Sequence, residues 1–204
     1  MDIDGKKAIV FGGTSGIGLS ATQMLSDKGA HVIALSRNPD KLKNVPKNVT
    51  TKKMNVLDRD ALEKFFQEVG EYDILVNSAT GGARAVGPFL SMDLDGYKAS
   101  FDKLWGYTNV VRYGTKFLKD NGNIVLVSGS PARKCRPGQI AISSVGGAVE
   151  AFARLIDFVI YEPADEPPST AVSSTKSTVL VTFAIILAPL AGAVTIVSVV
   201  PETV

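Results

Sequence analysis

Over the first 130 residues, short β-branched runs alternate with longer segments whose apolar positions recur at helical spacing. AIVF (8–11) predicts a strand that leads into a Gly-rich turn. IGLSATQMLSDKG (17–29) repeats its apolar residues every three or four positions and stops at a glycine, as a helix does. HVIALS (31–36) and NVTTKKMNV (48–56) predict the second and third strands. Asp58 is placed to N-cap the helix of DALEKFFQEVG. YDILVNSA (72–79) predicts a fourth strand, YKASFDKLWGYTNVVRYGTKFL (97–118) one or two helices, and NIVLVSGS (123–130) a fifth strand. Strands alternating with helices of this length predict a parallel sheet covered on both faces. The right-handed crossover rule then selects a single-domain α/β fold with a doubly wound parallel sheet, the Rossmann fold.

The pattern changes after Ala132. RKCRPGQ (133–139) is a basic, Pro- and Gly-containing loop. ISSVGGAVEAFARLIDFVI (142–160) resumes helical spacing despite Gly146 and Gly147. Residues 157–176 read as a linker, with YEPADEPPSTAVSSTKST (161–178) rich in Pro, Ser and Thr. Residues 177–201 carry no charge. At ~1.5 Å per residue that stretch is long enough to cross a ~30 Å hydrocarbon layer as a helix. Pro189, Gly192 and the heavy β-branching favour a second reading: two buried parallel strands, TVLVTFAIIL (178–187) and AVTIVSVV (193–200), that complete the sheet. A tail foreign to the fold is the third reading.

Composition narrows the chemistry. A chain of 204 residues is long enough for a self-sufficient core. Cys135 and His31 are the sole cysteine and histidine, which leaves no disulfide and no Cys/His zinc site. A histidine-based triad would have to use His31, inside an apolar strand-like run. The net charge of +2 is too small to imply nucleic acid as a partner. The charge is uneven: residues 155–204 hold five acids and one base. MDIDGKKAIVFGG lacks the layout of a signal peptide, so a cytoplasmic protein is expected, and a homo-oligomer is possible.

The strongest local signal is Gly12-Gly13-Thr14-Ser15-Gly16-Ile17-Gly18, between a strand and a helix. Small residues there let the backbone approach a pyrophosphate, and a helix N-terminus supplies N–H donors and a favourable dipole. Gly12, Gly16 and Gly18 are spaced Gly-x3-Gly-x-Gly, which resembles the short-chain dehydrogenase/reductase family. NSAT (77–80) is similar to that family's Asn-Asn-Ala-Gly stretch, with Asn77 at the first Asn and Ala79 at its Ala. Asn55-Val56 stands where the family has Asp-Val beside the adenine. GNIVLVSGS (122–130) and PGQIAISSVGGAVEAFARLI (137–156) resemble its fifth strand and active-site helix. The resemblance covers residues 5–156 and implies a dinucleotide-binding Rossmann domain over 1–156. It implies cofactor contacts from Gly12, Thr14, Ser15, Gly16, Ile17, Gly18, Asn55, Val56, Asn77 and Ala79.

The second strand decides which dinucleotide is expected. An NAD site of this type ends that strand with an acid for the ribose 2′-hydroxyl. Here it ends Leu35-Ser36-Arg37. Ser36 and Arg37 can hydrogen-bond and neutralise a 2′-phosphate, so NADP(H) is expected over NAD(H).

The family's proton-transfer residues are missing. Its Tyr place falls on Ile142, its Lys place on Gly146, its Ser place on Gly129, between Ser128 and Ser130, and its helix Asn near Lys103. Ile and Gly cannot move a proton. Ser128, Ser130, Ser143 or Ser144 could instead orient a substrate, and Lys103, Tyr107 or Tyr113 could supply a proton. Trp105 and Phe101 read as core. Two functions stay open: an atypical NADP-dependent oxidoreductase acting on a small carbonyl or alcohol, and a non-catalytic dinucleotide-binding sensor or interaction protein.

Overall fold

The computed structural model describes residues 2–134, 136–159, 178–184 and 196–199. Its strands are β1 (Lys7–Phe11), β2 (His31–Ser36), β3 (Val49–Lys53), β4 (Tyr72–Asn77), β5 (Leu118–Gly129), β6 (Thr178–Ala184) and β7 (Ile196–Val199). Its helices are α1 (Gly16–Asp27), α2 (Arg59–Val69), α3 (Leu94–Ala99), α4 (Asp102–Gly114) and α5 (Ile140–Val159). The strands form one sheet in the order β3-β2-β1-β4-β5-β6-β7. Every neighbouring pair from β3 to β6 is parallel.

Strand alternation sends successive side chains to opposite faces, and both faces are covered. Ile9 and Phe11 of β1 enter a core with Leu62, Phe65 and Phe66 of α2, Tyr107 and Val110 of α4, and Val149 and Ala153 of α5. Ala8 and Val10 enter a second core, against which Ile17, Ala21 and Leu25 pack from α1. This is the doubly wound arrangement. Asp58 does cap α2, accepting from the Ala61 N–H at 3.0 Å.

Asp73 fastens the end of the sheet away from the Gly-rich loop. Its carboxylate accepts from the Lys7 N–H at 2.9 Å and from the ammonium groups of Lys6 and Lys119, each at 3.3 Å. Burial would raise this carboxyl, but those three donors outweigh it and hold it below the usual aspartate value.

Of the one or two helices expected over 97–118, the structure has two, broken at Ser100-Phe101 and followed by a short 3-10 turn. Several other expectations are corrected. Trp105 is not core: it is 57% exposed on α4. His31 is the exposed first residue of β2. Of the two tail strands expected to be parallel, β6 pairs in parallel with β5, but β7 runs antiparallel to β6. A strand can return antiparallel over a short connection, whereas a parallel return needs a crossover of a dozen or more residues. The 11 residues between β6 and β7 and the segment 160–177 lie outside the described residues. Among the described residues no helix is long and apolar enough to cross a membrane.

Candidate functional site

Chain order reverses between β1 and β4, and the crevice at such a switch point is where doubly wound sheets bind ligands. A cavity of about 400 Å3 opens there. Gly12, Ser15, Gly16, Ile17, Gly18, Ser36, Arg37, Asn55, Val56 and Ala79 line it, together with Phe11, Leu35, Met54, Ser78, Thr80, Gly81 and Arg84.

The glycines have distinct jobs. Gly12 has φ +77°, and a Cβ there would sit 2.7 Å from Ser78 Oγ and 2.9 Å from Ala79 N. A Cβ on Gly18 would collide with the Gly12 carbonyl and Ser78 Oγ. The Ser78 hydroxyl is itself fixed, donating to the Phe11 carbonyl at 2.9 Å. So Gly12 and Gly18 let the β1 loop, the start of α1 and the β4 loop interlock. Gly16, at φ +52°, has open space where a Cβ would project.

Helix α1 begins without a cap. The Ser15 side chain makes no capping bond, and its first turn holds no acidic residue. Its free N–H groups and positive dipole end therefore face the cavity lined by Ser15 to Gly18. That arrangement suits an anion.

Two of the expected contacts lie behind this wall. Thr14 is buried and donates through Oγ1 to Ser36 Oγ at 2.8 Å. Asn77 is fully buried; its Oδ1 accepts from the Ala79 N–H at 3.2 Å, and its Nδ2 has no partner among the described residues. Both set the shape of the loops that line the cavity. Arg37 donates through Nη1 to the Gly81 carbonyl at 3.2 Å, which joins the β2 loop to the β4 loop. Val56 is buried beside Asn109, whose Nδ2 donates to its carbonyl at 3.1 Å.

The residues weighed for proton transfer fare differently. Ser128 is 2% exposed and donates to the Gly146 carbonyl at 3.2 Å. Tyr107 is fully buried with its hydroxyl on the Val127 carbonyl at 2.8 Å; burial raises its pKa, opposed by that bond. It belongs to the core, so the expectation of a proton from Tyr107 is corrected. Tyr113 packs against the same core. Ser130 begins the 3-10 turn Ser130–Ala132 and is half-buried. Ser144 is paired with the Tyr97 hydroxyl at 3.1 Å. The Gly146 position is closed, because a Cβ there would lie 2.8 Å from Ala132 Cβ. Lys103 of α4 holds its ammonium 5.3 Å from the centre of the Tyr107 ring. Burial, and then the nearby Arg84 guanidinium, push its pKa down to about 8.

The profile of the short chain dehydrogenases matches residues 6–161. The chain belongs to that family. It is 29% identical over 174 residues to 2,3-dihydro-2,3-dihydroxybenzoate dehydrogenase of Bacillus subtilis (strain 168), covering 78% of this chain and 66% of that protein. It is 32% identical over 153 residues to 3-oxoacyl-[acyl-carrier-protein] reductase FabG of Thermotoga maritima, covering 68% and 61%. The chain thus spans about two thirds or less of the curated relatives it matches. Among solved structures, a short-chain dehydrogenase of Burkholderia cenocepacia J2315 in complex with NADP superposes with a TM-score of 0.72. That match covers 89% of this chain and 72% of the other at 19% identity, a likeness of fold.

The sequence reading missed Ser78, Thr80, Gly81 and Arg84. The signal available was weak: a Gly-Gly-Ala-Arg run directly after NSAT. Its importance comes from Gly81, where a Cβ would collide with the Asp102 carbonyl, so the β4 loop rests against the start of α4.

Proposed function

We propose that this chain binds NADP(H) in the cavity at the β1/β4 switch point and acts as an atypical oxidoreductase on a small carbonyl or alcohol. The observation that carries the reading is the uncapped start of α1, which opens into a cavity with Ser36 and Arg37 on its wall. The residues present fit the dinucleotide. The Gly16 side of the cavity is open, the α1 N–H groups are free for a pyrophosphate, and the Arg37 guanidinium on the wall, with Nη1 given to the Gly81 carbonyl, keeps further donors that suit a 2′-phosphate. Asn55 and Val56 form the adenine wall, and Asn77 and Ala79 shape the β4 loop. When bound, the nicotinamide supplies the hydride.

The proton is the part this chain must provide by other means than its relatives. Lys103 is the residue we assign to it, with Ser130 orienting the substrate. An ammonium whose pKa is lowered to about 8 is suited to general acid work. Ser128 is the weaker candidate, since its hydrogen is already given to Gly146. Residues 1–156 form the nucleotide-binding unit in this reading, with β6 and β7 completing the sheet.

One observation favours the second reading, a nucleotide-binding sensor without turnover: at Gly146, where the family has its lysine, even a Cβ would lie 2.8 Å from Ala132 Cβ. Fluorescence titration with NADPH and NADH, run beside NADPH oxidation over a panel of carbonyls, separates the two. Binding with turnover supports the oxidoreductase, and binding without turnover supports the sensor. Absence of binding overturns both.

A further inference from the structure

Beside the nucleotide cavity lies a second one of about 450 Å3, and Arg84 lines both. Its other walls include Ala85, Val86, Pro88 and Met92. The stretch that frames it is unusually apolar for a surface: Val86 is 67%, Phe89 50%, Leu90 98% and Leu94 68% exposed. Single exposed apolar side chains are ordinary, but four within nine residues, of which Val86 lines the groove itself, make an apolar patch on the stretch that builds it.

The charges at the junction are unbalanced. Arg84 makes no hydrogen bond or ion pair among the described residues, and neither does the Lys103 ammonium, which has only the Tyr107 ring. These two cations lie close enough for Arg84 to disfavour the charge on Lys103. Two carboxylates are near. Asp93 lines the groove, but its oxygens accept from the Asp95 and Gly96 N–H groups at 3.2 and 2.9 Å. Asp102 is turned toward the backbone of Gly82 and forms no ion pair with either cation. Like charges held together without a counter-ion are relieved by an anion between them.

We propose that this groove binds a small amphiphilic organic anion, with its carboxylate at Arg84 and its hydrocarbon body along Val86, Pro88 and Met92. The proposal rests on the preceding reading, because it names that site's substrate class: an aliphatic carboxylic acid that carries the reacting carbonyl or alcohol. The guanidinium supplies a forked donor for the carboxylate, and the apolar walls supply the affinity for the chain.

The test uses the full chain and octanoate as the probe, followed by calorimetry, with 1-octanol as the uncharged control. Octanoate is expected to bind at least about tenfold tighter than octanol, the worth of a hydrogen bond to a charged group. Arg84→Gln should remove that preference, and Arg84→Lys should restore part of it. Val86→Glu changes an exposed wall residue, so it folds, and its like charge should weaken octanoate further than octanol. Equal affinity for the two probes, or an octanoate affinity indifferent to Arg84→Gln and Val86→Glu, overturns the proposal. NADPH titration of the unaltered protein runs in parallel. NADPH binding without octanoate binding sinks the substrate class and leaves the nucleotide site standing. Failure of both removes the reading on which it rests.

Discussion

Replacing Gly146 by alanine puts one methyl group where the structure has no room for it. The new Cβ would lie 2.8 Å from Ala132 Cβ and 3.4 Å from both Ala132 Cα and Ser128 Oγ. Carbon atoms rest at about 3.5–4.0 Å, so helix α5 or the turn must retreat by about 1 Å. Neither gives easily. Pro131 stiffens the turn Ser130–Ala132, and the Ser128 hydroxyl ties β5 to the Gly146 carbonyl. Overpacking of this kind costs about 1–3 kcal/mol. Removing a mid-helix glycine returns up to about 1 kcal/mol. With the full helix term returned, the net expectation is a loss of up to about 2 kcal/mol, or up to ~8 °C in Tm for a chain of this size. The next residue is the internal control. A Cβ on Gly147 meets nothing within 4 Å, so Gly147→Ala should gain the helix term without the clash and raise Tm. Adding Ala132→Gly to Gly146→Ala should recover most of the loss. Thermal unfolding read by circular dichroism on the four proteins decides the matter. If Gly146→Ala and Gly147→Ala move Tm equally and in the same direction, the closed position is an error of reasoning. The same closure predicts that Ile142→Tyr with Gly146→Lys yields no gain in carbonyl reduction, since the lysine stem has no path past Ala132.

Three further outcomes are expected. Arg37→Ala should weaken NADPH by about 1.5–3 kcal/mol and leave NADH nearly unchanged; equal losses by titration would refute the 2′-phosphate assignment. Lys103→Met in an active protein should lower the reduction rate at least about tenfold, and the wild-type rate should fall as pH rises through about 8, where the ammonium is lost. Its stability readout has the opposite slope. Between about 8 and the ordinary lysine value of 10.5 the unfolded chain binds more protons, so wild type gains stability relative to Lys103→Met as pH rises. Asp73→Asn should cost about 2 kcal/mol at neutral pH, since three donors lose a charged acceptor. The depressed carboxyl contributes fully above the usual aspartate value, so the two proteins should converge in stability as pH falls through the folded value.

The first five strands and their helices were legible because both signals they leave in the sequence are local. The inner strands carry apolar runs such as Ile74-Leu75-Val76 in β4, a strand buried along its whole length, and β-branching marks the edge strand β3. The helices carry the 3.6 period of a single buried face. Element ends were less legible. NVTTKKMNV suggested nine residues of strand, but pairing with β2 stops at Lys53. Beyond it, Met54 hydrogen-bonds to Ser36 and the chain turns to line the cavity. Trp105 was misread because a large apolar residue at helical spacing has the same appearance whether its helix turns it inward or outward. Direction in β7 could not be read either, since an apolar run has no polarity and only its partner sets it.

The candidate site divides along the same line. The cradle was legible because it is built from backbone, and backbone demands of Gly12, Gly16 and Gly18 are written as residue types. The proton-transfer question was not, because it depends on what meets what across the fold. Sequence counting shows a glycine at position 146 and reads it as a missing group. The structure shows a position filled from the other side, by Ala132, 14 residues earlier in the chain. Likewise Tyr107 and Lys103 are one helical turn apart on α4, and the sequence offered both as donors, with Lys103 preferred. Packing gives the tyrosine hydroxyl to the Val127 carbonyl, and among the described residues it leaves the lysine an aromatic ring and a neighbouring Arg84. A hydroxyl already donating in the core has its proton committed, whereas an ammonium that is buried beside a guanidinium holds its proton more loosely. Of the two, only Lys103 therefore keeps the freedom that general acid chemistry requires.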